Sequence, residues 1–283
     1  MTCRAISRTD IESAVMRLCL EANIIIRDDI SRALEILAGE KEQGEHTRRM
    51  VKVLLDNATI ARDKKIAICQ DTGLVCVFIE IGDNVSVCGI NMQDAVNKGV
   101  MLAYKEYGFR MSVVGDPVIR KNTGSNIPAI LHVEIVPGDT VKISVMPKGF
   151  GSENKGRIGM LKPTSGVGEI VDFCVETVKL AGPDACPPYI LGVGIGGTME
   201  YCAYLAKKAL LRKIDRPNAA SHLADIETRI RSGANALDIG IMGLGGSSTV
   251  IGVNVEAAAT HIAGLPVAVN LSCHALRTAT TEI

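Results

Sequence analysis

The sequence has no tryptophan, only four phenylalanines and five tyrosines, and no excess charge of either sign. So few aromatic side chains leave little material for platforms on which nucleic-acid bases could stack. The 31 lysines and arginines balance the 31 aspartates and glutamates, so no net field attracts nucleic acid or an acidic membrane surface. We therefore expect neither nucleic acid nor membrane among the partners of this chain.

An apolar segment that could direct secretion or span a membrane is also missing. The N-terminal residues MTCRAISRTD contain no hydrophobic core of a signal peptide. Residues 239–276 are poor in charge, but several glycines and Pro266 interrupt them, whereas a spanning helix needs about 20 consecutive apolar residues. These absences predict a cytoplasmic protein in which residues 239–276 are part of a buried α/β core.

Cysteine is present in an odd number and without any C-x-x-C pair. The nine are Cys3, Cys19, Cys69, Cys76, Cys88, Cys174, Cys186, Cys202 and Cys273. Without a signal peptide this pattern indicates a reducing compartment, and it fits neither a disulfide framework nor a local zinc knuckle. Helical patterns surround Cys19 and Cys202, strand-like runs surround Cys76 and Cys88, and most of these thiols should be buried. Cys69, Cys186 and Cys273 differ because each falls at the end of a predicted element.

The length and the 47% hydrophobic content allow a full core in one large domain or two lobes. We predict a mixed α/β fold with two lobes, 1–150 and 151–283, in which mixed or antiparallel sheets are flanked by helices. The boundary is placed at 150–168, where glycine, serine and lysine predict a loop. A functional site is expected between the lobes.

Periodicity and turn residues predict the elements in more detail. Hairpins are expected within 74–90 and 129–149, and a strand at 189–195. In the helix at 92–107, Ala95, Val96, Val100 and Ala103 should form one apolar stripe. The predicted helices run from a Thr9-x-x-Glu12 capping box to about 23, then over 28–39, 42–61, 92–107, 168–181, 198–213, 222–234 and 256–263.

Two glycine-rich turns raise the question of nucleotide binding. Gly192-x-Gly194-x-x-Gly197 between a strand and a helix has the form of a dinucleotide fingerprint. A Rossmann unit then needs a second apolar strand that ends in an acid about 20 residues later, and RKIDRPNAASHLAD supplies none. The alternative is a tight turn whose glycines let helix and sheet pack closely, although the helix start could still hold an anion. MGLGGSST at 242–249 is a second such turn, and neither turn matches an NTP-binding P-loop.

Three thiols stand in contexts that suggest chemistry. The stretch ICQDTG at 68–73 places Cys69 beside Gln70 and Asp71 in a turn between a helix and a strand. Cys186 directly precedes two prolines, as iron–sulfur ligands often precede one, and Cys273 ends an apolar strand. Taken singly, each could be structural. Together they suggest three thiolates, which would leave one corner of a cubane cluster open for substrate.

Two further residues have both a structural and a functional interpretation. His261, in THIAGLPVAVN, could be a packing histidine or could take part in proton transfer near Cys273. Arg110, in YGFRMSVVGDP, could be a surface cation or a bidentate clamp for a carboxylate.

Four motifs in the sequence resemble those of the iron–sulfur hydro-lyases, that is, the class I fumarases and tartrate dehydratases. The motifs occur in the family's order and span nearly the whole chain. These motifs are CQDTG at 69–73, ACPPYILGVGIGGTMEY at 185–201, MGLGGSSTV at 242–250 and THIAGLPVAVNLSCHA at 260–275. The resemblance implies a [4Fe–4S] cluster with one open iron, held by Cys69, Cys186 and Cys273. It also implies that Gln70, Arg110 and Gly151 bind substrate and that Asp71 and His261 are catalytic.

The resemblance is to the N-terminal, cluster-binding part of these enzymes, which in some members is a separate α subunit. It implies a β subunit that carries the remaining active-site residues, including the general base, in an α2β2 or similar heteromer. The implied reaction is reversible hydration of fumarate to L-malate, with dehydration of tartrate to oxaloacetate as the alternative. A nicotinamide-dependent oxidoreductase that uses Gly192, Gly194 and Gly197, and a cluster-bearing sensor without turnover, are the rival interpretations.

Overall fold

The structure is a computed structural model that describes residues 4–39 and 44–283, in two compact units. Unit 1 comprises the described residues up to Ile26 together with Asn57–Phe150 and Arg277–Ile283. Unit 2 comprises the described residues from Arg27 to Asp56 together with Gly151–Leu276. Each unit is therefore assembled from separated parts of the chain, whereas the sequence suggested one division after residue 150.

Both helices and strands occur in the described part of the chain. The helices are α1 (Arg8–Ile24), α2 (Asp28–Gly39), α3 (Glu45–Lys64), α4 (Met92–Glu106), α5 (Phe150–Glu153), α6 (Val167–Ala181), α7 (Met199–Ala209) and α8 (Ser221–Asn235). The strands are β1 (Arg4–Ala5), β2 (Leu74–Gly82), β3 (Val85–Ser86), β4 (Ile130–Val136), β5 (Val141–Lys148), β6 (Arg157–Leu161), β7 (Tyr189–Gly196), β8 (Val250–Ala258), β9 (Leu265–Ser272) and β10 (Ala279–Glu282). This composition confirms the predicted mixed α/β class.

In unit 1 a four-stranded sheet has the order β10-β5-β2-β4. Its strand β2 is antiparallel to β5 and parallel to β4, and α4 makes the crossover between the two parallel strands. Successive side chains of a strand point to opposite faces, and the alternate residues Val75, Val77, Ile79 and Ile81 belong to the apolar core that includes α1 and α4. The predicted stripe of α4 is confirmed: Ala95, Val96, Val100 and Ala103 are fully buried.

In unit 2 the sheet order is β6-β9-β7-β8, with β7 antiparallel to β9 and parallel to β8. The alternate residues Tyr189, Leu191, Val193 and Ile195 of β7 belong to the core formed with α6 and α8. The intervening positions face α7. A Cβ on Gly192 would lie 2.0 Å from the carbonyl oxygen of Ala206, and one on Gly194 would lie 2.0 Å from that of Cys202. These two glycines therefore let α7 approach the strand, as the packing interpretation predicts.

Both predicted hairpins are wrong, although most of the predicted strands exist. The turn at 137–140 separates β4 from β5, but β2 lies between those two strands in the sheet. Likewise β3 follows β2 across a short turn, but its partner strand is β1, to which it is parallel. A turn signal specifies where the chain reverses, but the crossover of α4 decides which strand becomes the neighbour.

Other element boundaries also differ from the prediction. The capping box of α1 uses Ser7 and Asp10 instead of Thr9 and Glu12, because the same spacing of a hydroxyl and an acid occurs two residues earlier. The predicted start of the third helix near residue 42 lies outside the described residues, as does Cys3.

Three predictions in the second half and one in the first need correction. The expected loop at 150–168 contains α5 and the edge strand β6, because β6 pairs with β9. The helix predicted at 256–263 is absent, since β8 continues to Ala258 and a turn follows. The helix predicted to reach residue 213 ends at Ala209, and Cys88 lies exposed in a turn instead of a strand. Among the helices described here, none is long and apolar enough to cross a membrane.

Candidate active site

The turn at residues 69–73 is held against the end of β5 in unit 1. Gly73 has a φ of +78°, and a Cβ there would lie 2.7 Å from the backbone nitrogen of Lys148. The Tyr104 hydroxyl donates to the carbonyl oxygen of Thr72, and burial raises the pKa of that tyrosine. The Thr72 hydroxyl in turn donates to the carbonyl oxygen of Arg110 at 2.8 Å. The backbone of Arg110 is therefore tied to the turn that carries Cys69, Gln70 and Asp71.

Asp71 has a half-buried carboxylate whose two oxygens are both oriented. Its Oδ1 accepts from the backbone N–H of Gly73 at 3.0 Å. Its Oδ2 accepts from the backbone N–H of Phe150 at 2.8 Å, where β5 has ended and α5 begins. This acid therefore joins two segments that meet at one end of the unit 1 sheet. Such a fixed carboxylate can accept or deliver a proton at a defined position.

The other proposed substrate-binding residues are accessible. Gln70 and Arg110 are exposed, and Cys69 is half-buried. Gly151, the residue after Phe150, is also exposed, and no atom lies within 4 Å of where its Cβ would stand. Within unit 1, Cys69, Gln70 and Asp71 share one turn.

Two residues that sequence analysis overlooked surround Asp71. The guanidinium of Arg277 donates to the carbonyl oxygen of Asp71. A Cβ on Gly149 would lie 3.2 Å from both an Asp71 carboxylate oxygen and Arg277 Nη2. No local pattern marks either residue, because Arg277 reaches Asp71 across 206 positions of the sequence.

In unit 2, Cys186 and Cys273 lie at the same end of the sheet. Cys186 precedes β7 and Cys273 follows β9, and these antiparallel strands are paired there through Ile190 and Ser272. Cys186 is exposed, with a φ of +57°, and Cys273 is half-buried. The Nδ1 of His274 lies 3.2 Å from the Cys186 carbonyl oxygen. Burial lowers the pKa of His274, which favours the neutral imidazole that donates from Nδ1.

Tyr189 lies beside both of these thiols. Its hydroxyl donates to the Gly182 carbonyl oxygen at 2.6 Å and accepts from the Ala185 N–H at 3.3 Å. Burial raises the pKa of Tyr189 to about 12, and the neighbouring Cys186 and Cys273 act in the same direction. The pairing of β7 with β9 is what places Cys186 and Cys273 at one end of the unit 2 sheet.

His261 lies at the opposite end of the unit 2 sheet. It is exposed in the turn between β8 and β9, where its Nδ1 accepts from the Ala263 N–H at 3.1 Å. The adjacent Thr260 hydroxyl donates to the Gly197 carbonyl oxygen at 2.9 Å, at the end of β7 remote from Cys186. The eight residues of β9 separate this turn from Cys273, which corresponds to roughly 25 Å. Unit 2 therefore does not bring His261 to the two thiols.

The chemistry of the thiols separates ligand candidates from packing residues. Cys19, Cys76, Cys174 and Cys202 are buried. Burial raises the pKa of Cys174 to about 12 and also raises the pKa of Cys19 and of Cys202, which disfavours the thiolate that binds metal. The three predicted ligands lie at element ends and are less buried.

Neither unit, as far as it is described, groups three Cys, His, Asp or Glu side chains that could hold a metal ion. Cys69 belongs to unit 1, and Cys186 and Cys273 belong to unit 2. In type and accessibility these donors fit an iron–sulfur cluster.

Comparison with known proteins gives one family and several close relatives. Residues 12–282 match the family described as fumarate hydratase (Fumerase). A putative L(+)-tartrate dehydratase subunit alpha of Methanocaldococcus jannaschii is 37% identical over 279 residues, which cover 96% of this chain and 97% of the relative. The L(+)-tartrate dehydratase subunit alpha of Escherichia coli strain K12 is 34% identical over 256 residues, which cover 89% of this chain and 84% of the relative.

Proposed function

Because the chain belongs to the fumarate hydratase (Fumerase) family, we propose that this hydro-lyase is the α subunit of an iron–sulfur enzyme that interconverts fumarate and L-malate. The observation that carries the proposal is the fixed carboxylate of Asp71, in the same turn as Cys69 and Gln70. An oriented acid beside a candidate ligand of iron suits the addition and removal of water.

Cys69, Cys186 and Cys273 would hold a [4Fe–4S] cluster. When bound, the cluster would supply Lewis-acid chemistry toward a substrate oxygen. The protein itself contributes the three thiolates and the polar groups around them.

Residues of unit 1, together with Gly151 of unit 2, divide the remaining tasks. Asp71 holds or delivers the proton of the leaving hydroxyl group, with its carboxylate oriented by two backbone N–H groups. Arg110 binds a substrate carboxylate through its planar guanidinium, and the amide of Gln70 binds another substrate oxygen. Gly151 lets the substrate approach the backbone, since its α-carbon is exposed.

We retain His261 as a proposed catalytic residue on the condition that it acts in the site of a second copy of the chain. Because β9 separates it from Cys273, it would reach a substrate held at that thiol only from a second copy of the chain. The base that removes the proton next to the distal carboxylate is assigned to the partner.

The names of the relatives support a partner subunit. Both relatives are called subunit alpha, which implies a second subunit in those enzymes. We extend this to the present chain and propose a β subunit in an α2β2 or similar heteromer. The β subunit would complete the site with the base and additional substrate-binding groups.

L(+)-tartrate is the second candidate substrate, and the names of the relatives favour it. Tartrate differs from malate by one hydroxyl group. A site that hydrogen-bonds this hydroxyl would discriminate strongly against the substrate that lacks it. The groups that make this choice would lie on the β subunit as well as on this chain.

The test is anaerobic co-purification with the β subunit, reconstitution with iron and sulfide, and parallel assays of fumarate hydration and L(+)-tartrate dehydration. We expect fumarate hydration to have the larger kcat/KM, the lone chain to be inactive, and exposure to air to abolish activity. A larger kcat/KM for tartrate would establish the second candidate. A cluster-loaded complex that converts neither substrate would favour a sensor, and saturable NADH binding by fluorescence would favour the oxidoreductase.

A further inference from the structure

Arg277 is a buried cation in unit 1 with an unusual set of partners. It is 3% exposed, yet within the described part of the chain it forms no ion pair with a carboxylate. Its Nη1 donates to the carbonyl oxygen of Asp71 and, at 3.3 Å, to the Oδ1 of Asn23. Its Nε is buried and finds no acceptor among the described residues. Burial of a charge that is paired so incompletely is costly, so its position calls for an explanation beyond packing.

The partners of Arg277 connect the Asp71 turn to the end of α1. Asn23 is fully buried near the last turn of that helix. Its Nδ2 donates to the Cys19 carbonyl oxygen at 2.9 Å, and its own carbonyl oxygen accepts from Ile68 N–H at 2.9 Å. Asn23 therefore fixes the residue just before Cys69, and Arg277 joins this anchor to the main chain of Asp71.

The guanidinium of Arg277 and the carboxylate of Asp71 both pack closely against Gly149. A Cβ at this residue would stand 3.2 Å from Arg277 Nη2 and also 3.2 Å from Asp71 Oδ2. Few real Cβ contacts are so short, so an alanine here would push on both groups. The next residue, Phe150, donates its N–H to the same Asp71 oxygen. Arg277, Gly149 and Asp71 thus form one packed arrangement.

We propose that Arg277 is a positioning residue that holds the main chain of Asp71 so that its carboxylate keeps its two backbone hydrogen bonds and faces the substrate. The proposal rests on the proposed function for the catalytic role of Asp71. The competing interpretation is that Arg277 only fastens the chain before β10 to α1. That interpretation predicts a loss of stability without a specific effect on Asp71.

The experiment compares Arg277→Met and Arg277→Lys with Arg17→Met as the matched control. Arg17 also joins α1 to the C-terminal strand, since its Nη2 donates to the Thr281 hydroxyl at 3.0 Å, but it does not touch Asp71. We expect Arg277→Met to lower kcat about 100-fold with little change in KM, because a small misplacement of a catalytic group has an effect of that size. Arg277→Lys should restore part of the loss, since an ammonium group can still donate to the Asp71 carbonyl oxygen. Arg17→Met should leave kcat unchanged.

A second measurement on the same variants does not depend on turnover. Hydrogen exchange of the Gly73 and Phe150 amides, followed by NMR, reports the two bonds that hold the Asp71 carboxylate. We expect exchange at both amides to accelerate at least about tenfold in Arg277→Met relative to Arg17→Met, beyond any change in global stability. Equal exchange and an unchanged kcat would overturn the proposal.

The proposal and the proposed function fail in different ways. If the wild-type complex hydrates neither substrate, the function is wrong, but the exchange data still decide whether Arg277 positions Asp71. If Arg277→Met does not fold, Gly149→Ala replaces it, because its Cβ displaces the same two groups without removing a hydrogen-bonding side chain. Faster exchange at Phe150 and a lower kcat in Gly149→Ala would support the proposal, and wild-type values for both would overturn it.

Discussion

The two units share one strand arrangement and use the same end of it. In each, a central strand is antiparallel to one neighbour and parallel to the other: β2 with β5 and β4 in unit 1, β7 with β9 and β8 in unit 2. The proposed site residues precede the central strand and follow its antiparallel neighbour. In unit 1 these are the turn at 69–73 and Gly149–Phe150, and in unit 2 they are Cys186 and Cys273.

The difference between the two ends lies in their chemistry. The unit 1 end has an acid and an exposed amide beside a thiol, and hydrogen bonds from Gly73, Phe150 and the buried Tyr104 hold the turn that carries them. The unit 2 end presents two thiols near one tyrosine hydroxyl and a histidine. Under the proposed function, unit 2 mainly supplies ligands, whereas unit 1 also supplies groups that act on substrate. His261 lies at the other end of its sheet, which corresponds to the end of the unit 1 sheet with the turn at 137–140.

The largest expected effect comes from removing one thiol from either end. Cys69→Ala and Cys186→Ala should each abolish iron retention and turnover, because each deletes one of three ligands. The measurement is iron per chain and activity after anaerobic reconstitution with the β subunit. Cys88→Ala is the control, since Cys88 is exposed in a turn, and it should behave as wild type. Full activity in either variant would contradict the proposal that the two sheet ends both supply ligands to one cluster.

The second largest expected effect tests the proposal that Asp71 of unit 1 is the acid. Asp71→Asn should retain iron but lower kcat by about 10²–10⁴-fold, the range associated with loss of general acid–base catalysis. Asp116→Asn is a matched control, because Asp116 also accepts from two backbone N–H groups, at 2.8 and 2.6 Å, in an exposed turn of unit 1. An unchanged kcat in Asp71→Asn would transfer the acid role to another residue.

A third change tests whether the glycines of unit 2 serve packing. In Gly194→Ala the new Cβ would stand 2.0 Å from the Cys202 carbonyl oxygen, so we expect a loss of about 3 kcal/mol in the free energy of unfolding. Gly168→Ala in α6, where no atom lies within 4 Å of the new Cβ, should be neutral or gain about 0.5 kcal/mol. Denaturant titration gives both values. A Gly194→Ala protein with wild-type stability would contradict the packing interpretation.

The smallest expected effect concerns a buried ion pair of unit 2. Asp29 is 2% exposed; burial by itself would raise its pKa, but the hydrogen bonds and charge of Arg27 outweigh this and lower it. Since the folded pKa lies below the unfolded value of about 3.9, the pair stabilises the fold above that pH. The stabilisation is lost as the pH falls through the folded pKa.

Asp29→Asn should therefore cost about 2 kcal/mol at neutral pH, and its deficit should shrink below about pH 4. Asp215→Asn is the control, because its pair with Arg32 is exposed and should contribute less than about 1 kcal/mol. Denaturant titrations between neutral and acid pH measure both variants. A deficit of Asp29→Asn that stays constant with pH would show that the charge of Asp29 is not its source.

Local signals in the sequence predicted most of the helices and most of the thiol contexts, but they predicted strand pairings poorly. The stripe of α4 and the element ends at Cys69, Cys186 and Cys273 follow from periodicity and turn residues. The hairpin at 129–149 failed because the strand between its two arms comes from residues 74–82. Arg277 and Gly149 escaped notice for the same reason, since only the folded sheet brings them to Asp71. Turn residues predict reversals, but long-range packing decides the neighbours.

The most direct test of the central claim is mass-spectrometric mapping of thiol alkylation before and after anaerobic cluster loading. The account predicts that Cys69, Cys186 and Cys273 all react in the apo chain and all become protected when about four iron atoms bind. Cys88 should react in both states. Bound iron with any one of the three ligand thiols still reactive would contradict the shared cluster site.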